Sequence, residues 1–218
     1  MKRFAVALLL GLIPVALVAG FLPPPGSDVV TVGTVNGASG GTVDVPVFIR
    51  DVSGTLLGID QPFGSRIQSY AITVNYSPAS SVQAITFTRA GITQPLTPAF
   101  ESSPSAPGTV TLIDTFQETT NLIPFVSNAA APGNQIGVLH VTVSPSAPLN
   151  STITLALDST LTQLSNQAGT TKETTTLANL TLINGAINVI TSVPAMSTWA
   201  LLLLALAIAI TAVVMQRR

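Results

Sequence analysis

Between residues 29 and 189 apolar and polar side chains alternate in short runs, and each run is broken by Gly, Pro, Asn or Ser. A period of two places successive side chains on opposite faces of a strand, and nothing in this region carries a helical stripe. In residues 42–50 the alternation sets Val43, Val45, Val47 and Ile49 inward, with Asp44, Pro46 and Phe48 pointing the other way. In residues 69–76 it groups Tyr70, Ile72, Val74 and Tyr76 against Ser69, Ala71, Thr73 and Asn75. Further strands are predicted at 29–35, 82–88, 109–114, 137–143, 152–157, 177–183 and 185–190, nine in all. Nine short strands with turn residues between them predict an all-β fold, a nine-stranded β-sandwich over residues 29–190.

The two ends follow a different pattern. Lys2 and Arg3 precede an apolar run from Phe4 to Val18 that closes on Ala19 and Gly20, the layout of an export signal over residues 1–20. Pro23, Pro24 and Pro25 make residues 21–28 a stiff spacer. At the other end Trp199 to Met215 is uncharged and apolar, and at about 1.5 Å per residue it reaches about 26 Å, enough for a hydrocarbon core. Arg217 and Arg218 follow in a short basic tail, residues 216–218. Basic residues stay on the cytoplasmic side, so a transmembrane helix over residues 199–215 would leave the β domain on the far side of the inner membrane.

Composition narrows the function. Of 218 residues 47% are hydrophobic and only 8% charged, which argues against both a disordered chain and a nucleic-acid-binding one. The net charge is −1, but removing Lys2, Arg3, Arg217 and Arg218 leaves 4 basic against 9 acidic residues, or −5. An acidic domain avoids nucleic acid and anionic headgroups. Cysteine is absent and histidine occurs once, which excludes a thiolate nucleophile, a disulfide framework and a Cys/His zinc site.

Catalytic chemistry has little to stand on. His140 falls on the outward side of its strand, with no nucleophile or orienting group indicated by any motif. Asp28, Asp44, Asp51, Asp60, Asp114, Glu118 and Asp158 lack glycosidase or EF-hand spacing and read as solvated turn or edge residues. No cofactor is expected, and a structural calcium ion held by loop acids and carbonyls is the lesser alternative. Tyr70 and Tyr76 read as core, as do Phe63, Phe100, Phe116 and Phe125, in core or under loops. That leaves no platform of exposed rings for sugar stacking. Phe48 stands apart, because its strand turns it away from the valines.

Two stretches resemble known families. Val193-Pro194-Ala195-Met196-Ser197-Thr198-Trp199-Ala200, followed by the apolar run and Arg217-Arg218, resembles the IPTL-type C-terminal sorting signal of bacterial envelope proteins. Pro194, Ser197 and Trp199 match its motif, and Val193 is a conservative replacement. The resemblance makes residues 191–198 a sorting motif and implies an exosortase-like processing enzyme in a Gram-negative bacterium. It also implies a protein held at the inner membrane and then sorted to the cell surface or beyond.

Within the β domain, Val30-Thr-Val-Gly33, Gly40-Gly-Thr-Val-Asp-Val-Pro-Val47 and Ile67-Gln-Ser-Tyr-Ala-Ile-Thr-Val-Asn-Tyr-Ser-Pro78 occur in the order found in cohesin domains. Pro107-Gly-Thr-Val110, Gly137-Val-Leu-His-Val-Thr-Val143 and Asn184-Gly-Ala-Ile-Asn-Val189 continue that order. The chain thus resembles a cohesin, a jelly-roll sandwich related in fold to carbohydrate-binding modules. The resemblance implies a non-enzymatic module that docks a dockerin-like or other envelope protein through one sheet face. From alternation alone, Asp44, Phe48 and Thr73 are the expected docking positions. The alternatives are a polysaccharide-binding surface module and a structural subunit of an extracellular matrix.

Overall fold

The computed structural model describes residues 26–191. The signal, the sorting motif with Val193, Pro194, Ser197, Trp199, Arg217 and Arg218, and the apolar run lie outside the described residues. Among the described residues no helix is long and apolar enough to cross a membrane.

Among the described residues fourteen strands form two sheets. In chain order they are β1 (Asp28–Val32), β2 (Thr34–Ala38), β3 (Thr42–Arg50), β4 (Ser69–Ser77), β5 (Val82–Arg89), β6 (Phe100–Ser102) and β7 (Ser105–Ala106). They continue as β8 (Thr109–Thr115), β9 (Asn134–Val143), β10 (Thr152–Leu157), β11 (Gln163–Ser165), β12 (Lys172–Glu173), β13 (Leu180–Ile183) and β14 (Gly185–Ile190). The smaller sheet runs β13-β1-β3-β9-β5. In the larger sheet β4 is central: β8 lies on one side, carrying β6 and β7, and β10 followed by β11 lies on the other. Beyond β10 come β14 and β2.

Strands are found at all nine predicted places, although the one predicted at 177–183 starts only at Leu180, and burial follows the predicted alternation except at Thr73, which is buried between Ile72 and Val74. Val45, Val47 and Ile49 of β3 are fully buried, and so are Ile72 and Val74 of β4. They meet Leu139, Val141 and Phe87 from the smaller sheet and Leu112, Ile153, Leu155 and Ile187 from the larger. Burial of such side chains contributes roughly 1.5–3 kcal/mol each and is the main term holding the sheets together. Tyr70 and Tyr76 lie in this core as expected.

Two corrections concern the strands. The first predicted strand divides at Gly33: β1 belongs to the smaller sheet and β2 to the larger. The chain's last strands divide in the same place, at Asn184, so β1 runs parallel beside β13 and β2 parallel beside β14. The crossover works because two glycines meet there, a Cβ on Gly185 falling 2.1 Å from the carbonyl oxygen of Gly33. The second correction is the four short strands β6, β7, β11 and β12, two or three residues each, which are too brief to show a period.

Candidate functional site

Each sheet turns one face inward, so the surfaces offered to a partner are the two outer faces and the loops between strands. On the smaller sheet Asp44 of β3 lies directly opposite His140 of β9, and Thr88 of β5, which pairs with Val138, reaches His140 diagonally. The His140 Nδ1 lies 2.6 Å from Asp44 Oδ1, and its Nε2 lies 3.0 Å from Thr88 Oγ1. Carboxylate, imidazole and hydroxyl thus form a line, but on an open sheet, with the His140 and Asp44 side chains 41% and 63% exposed. Without an enclosing cleft that excludes water, this is a hydrogen-bonded surface row. Along the same face Phe48, opposite Thr31 and Gln135, is half-buried. At its far edge Val29, Thr31, Arg50, Ala131, Pro132 and Ile183 line a shallow apolar groove.

The outer face of the larger sheet is built from small hydroxyl and methyl groups. Ser69, Ala71, Thr73 and Asn75 of β4 lie opposite Thr115, Ile113, Thr111 and Thr109 of β8. Thr154 and Ala156 of β10 flank β4 on the other side. Side-chain hydrogen bonds tie this face together: Ser69 to Thr115 at 2.8 Å, Thr73 to Thr111 at 2.9 Å, and Asn75 Nδ2 donating to Asp158 Oδ2 at 3.0 Å. Hydrogen bonds from Thr160 and Asn75 pull the Asp158 pKa down to about 2. Its charge on this face therefore persists at any physiological pH. Phe100, opposite Thr115 at the outer margin, is 55% exposed.

The structure separates the three expected docking positions. Asp44 and Phe48 lie on the smaller sheet, whereas Thr73 lies on the opposite side of the molecule, on the larger one. Thr73 is also only 3% exposed, because it sits mid-strand between Thr111 and Thr162. Alternation assigns a side but not a sheet, and not the cover supplied by neighbours. The aromatic reading is corrected as well: Phe116 and Phe125 are buried, but Phe63 and Phe100 are 65% and 55% exposed. Phe100 belongs to a strand too short to register in the sequence.

The acids depart furthest from expectation. Asp28, Asp51, Asp114, Glu118 and Glu173 are all buried, although the first four belong to the seven acids whose spacing predicts solvated turn or edge positions. In the core, Tyr70 donates to Asp114 Oδ2 at 2.7 Å. Burial pushes the Asp114 carboxyl up to about 6, with the Tyr70 hydrogen bond partly offsetting it. Burial, then the Asp114 charge, raises the Tyr70 phenol well above its usual range.

No protein-family model and no curated protein matches the chain. Solved structures do match it. The third ScaC cohesin of Acetivibrio cellulolyticus, solved with the ScaB dockerin, is 18% identical with a TM-score of 0.54, over 75% of this chain and 99% of that one. The OlpA cohesin of Clostridium thermocellum, solved with Doc918, is 12% identical with a TM-score of 0.54, over 76% of this chain and all (100%) of that one. CaCohA2 of Clostridium acetobutylicum is 18% identical with a TM-score of 0.53, over 78% and 95%. The described domain therefore has a cohesin-like fold.

Proposed function

We propose that this chain is an exported, non-catalytic docking module that captures a dockerin-like or other envelope protein on the outer face of its larger sheet. The observation that carries the choice of face is the ladder of paired hydroxyls across β4 and β8, bordered by the exposed ring of Phe100. Side chains already held by hydrogen bonds lose little freedom when covered, and an exposed aromatic ring at the margin supplies an anchor. Two of the similar cohesins named above were solved with dockerins bound, which supports a protein partner. The N-terminal segment would direct export, and Val193, Pro194, Ser197 and Trp199 with Arg217 and Arg218 would mark the chain for an exosortase-like enzyme at the inner membrane. Its destination would be the surface or exterior of a Gram-negative cell.

A polysaccharide ligand is the second reading, favoured by the two exposed rings, Phe63 and Phe100. Affinity capture from the source's envelope fraction, with the captured protein then purified and titrated, tests the first. Phe100→Ala is expected to weaken that binding about tenfold or more with an unchanged melting temperature, whereas Phe48→Ala leaves affinity intact. Loss of affinity with Phe48→Ala alone would move the partner to the smaller sheet. Sedimentation with insoluble polysaccharide, without any captured protein, would replace docking by sugar binding.

A further inference from the structure

Four carboxylates gather at the end of the sandwich where β1 begins, and among the described residues no basic side chain forms an ion pair with them. Asp28 opens β1, Asp51 and Asp60 bracket the loop after β3, and Glu173 ends β12. Asp28, Asp51 and Glu173 have no exposed surface. Ion pairs among the described residues join only Arg66 to Glu118, Arg89 to Glu101 and His140 to Asp44. The basic residues next in sequence do not help. Arg50 donates its Nε to the Ala129 carbonyl at 3.0 Å, and Lys172 is exposed.

Each carboxylate is fixed by one oxygen and leaves the other free. Asp28 Oδ1 accepts from the Val52 amide at 2.8 Å, Glu173 Oε1 from Leu57 at 3.0 Å, Asp51 Oδ2 from Ile59 at 2.8 Å, and Asp60 Oδ2 from Gly54 at 3.1 Å. The second oxygens of Asp28, Asp51 and Glu173 are buried without a hydrogen-bond partner. Asp28 and Glu173 adjoin each other, and burial followed by that contact pushes Asp28 up to about 9, so one shared proton accounts for this pair. Asp51 is left over. Its free Oδ1 faces Gly58, and so does the free Oδ1 of Asp60: a Cβ on Gly58 would stand 2.7 Å from both. The missing side chain is what lets two carboxylate oxygens converge on one spot. Two such oxygens brought together with no cation repel each other, and an unpaired buried oxygen costs about 1–3 kcal/mol or more.

We propose that Asp51 and Asp60, converging beside Gly58, form a calcium-binding site that pins the loop between them to the end of the sandwich. Hard oxygen donors from a flexible loop suit calcium, which accepts irregular shells of carboxylates, carbonyls and water, better than magnesium, which demands a tight octahedron. Nitrogen and sulfur donors are absent from the cluster, so zinc has no basis there. No three acidic or histidine side chains among the described residues close into a cage. Carbonyl oxygens and water must therefore complete the shell, as is common for calcium. The site stands independently of the docking reading.

Calcium titration of the chelator-treated full chain, by calorimetry and by thermal melting, tests this. For an affinity of about 10 μM, 1 mM calcium raises the melting temperature by about 5–10 °C, and 1 mM magnesium by much less. Asp60 is exposed, so Asp60→Asn folds, and the calcium-induced rise is expected to vanish in it; Asp44→Asn, on the smaller sheet, keeps the full rise. Equal melting temperatures with calcium and with chelator in the unaltered chain would overturn the proposal. So would an undiminished rise in Asp60→Asn, which would place the ion elsewhere.

Discussion

Asp114 shows how far a single buried group can set the behaviour of the domain. Its carboxyl is fully buried against Tyr70, and its pKa is raised from 3.8 to about 6. The native state therefore holds a proton that the unfolded chain has already released between about pH 4 and pH 6. Unfolding free energy from this group falls as pH rises through that window, is fully present below about pH 4, and is flat above pH 6. In Asp114→Asn the amide oxygen still accepts from Tyr70, so the fold is kept while the titration is removed. Thermal or urea melts at pH 4, 5, 6 and 7 are expected to show a weaker loss of stability with pH in the variant than in the unaltered chain. Parallel profiles would show that Asp114 ionises normally in the native state. None of this was legible from the spacing of acids along the chain. Burial of Asp28, Asp51 and Asp114 depends on which strands become neighbours. An inward aspartate such as Asp114 obeys the strand period, yet acids are read as solvated unless a partner such as Tyr70 is foreseen.

At the scale of elements, alternation was enough wherever a strand ran for six or more residues. β3, β10 and β14 begin and end at the residues where the pattern does, because one face must be apolar along its whole length to be buried. It failed at Gly33, where the pattern continues without interruption while the chain changes sheets, since both sheets bury the same kind of residue. The corner that permits the change is a backbone contact. Gly185 has Gly33 O and Val32 O at 2.1 and 2.7 Å from where its Cβ would be. Both are main-chain atoms, Val32 paired with Val47 and Gly33 held between the two strands by its amide donating to the Pro46 carbonyl at 2.8 Å, and they cannot swing aside. Gly185→Ala is expected to destabilise the domain by about 3 kcal/mol, the upper end for overpacking, and to lower the melting temperature by about 6–12 °C. Asn188→Ala, three residues on and exposed on the outer face, is expected to be nearly neutral. Similar melting temperatures for the two variants would mean that the crossover is looser than its contacts indicate.

Across the whole molecule the first and last strands are joined, which makes the domain close on itself. β1 and β2 together extend about 36 Å at about 3.3 Å per residue, and β13 and β14 accompany them in parallel throughout. Asp28 therefore lies at one end of the sandwich and Ile190, beside Ala38, at the other. The last described residues therefore lie at the end opposite the acid cluster. The same pairing controls folding. β2 has no sheet partner except β14, and β14 also covers β10 and buries Ile187 and Val189. Removing residues 184–190 would thus strip two strands from the larger sheet and expose the core on Ile153 and Leu155. Contacts between Val35 and Ile187 must also close most of the chain into one loop before they contribute. The expected result is that the unaltered chain refolds on the millisecond-to-second scale of non-local β proteins, whereas the chain lacking residues 184–190 shows no cooperative melt by far-UV circular dichroism. A cooperative transition in the shortened chain would mean that β1, β3, β4, β8, β9 and β10 suffice for the core, and that the terminal strands merely decorate it.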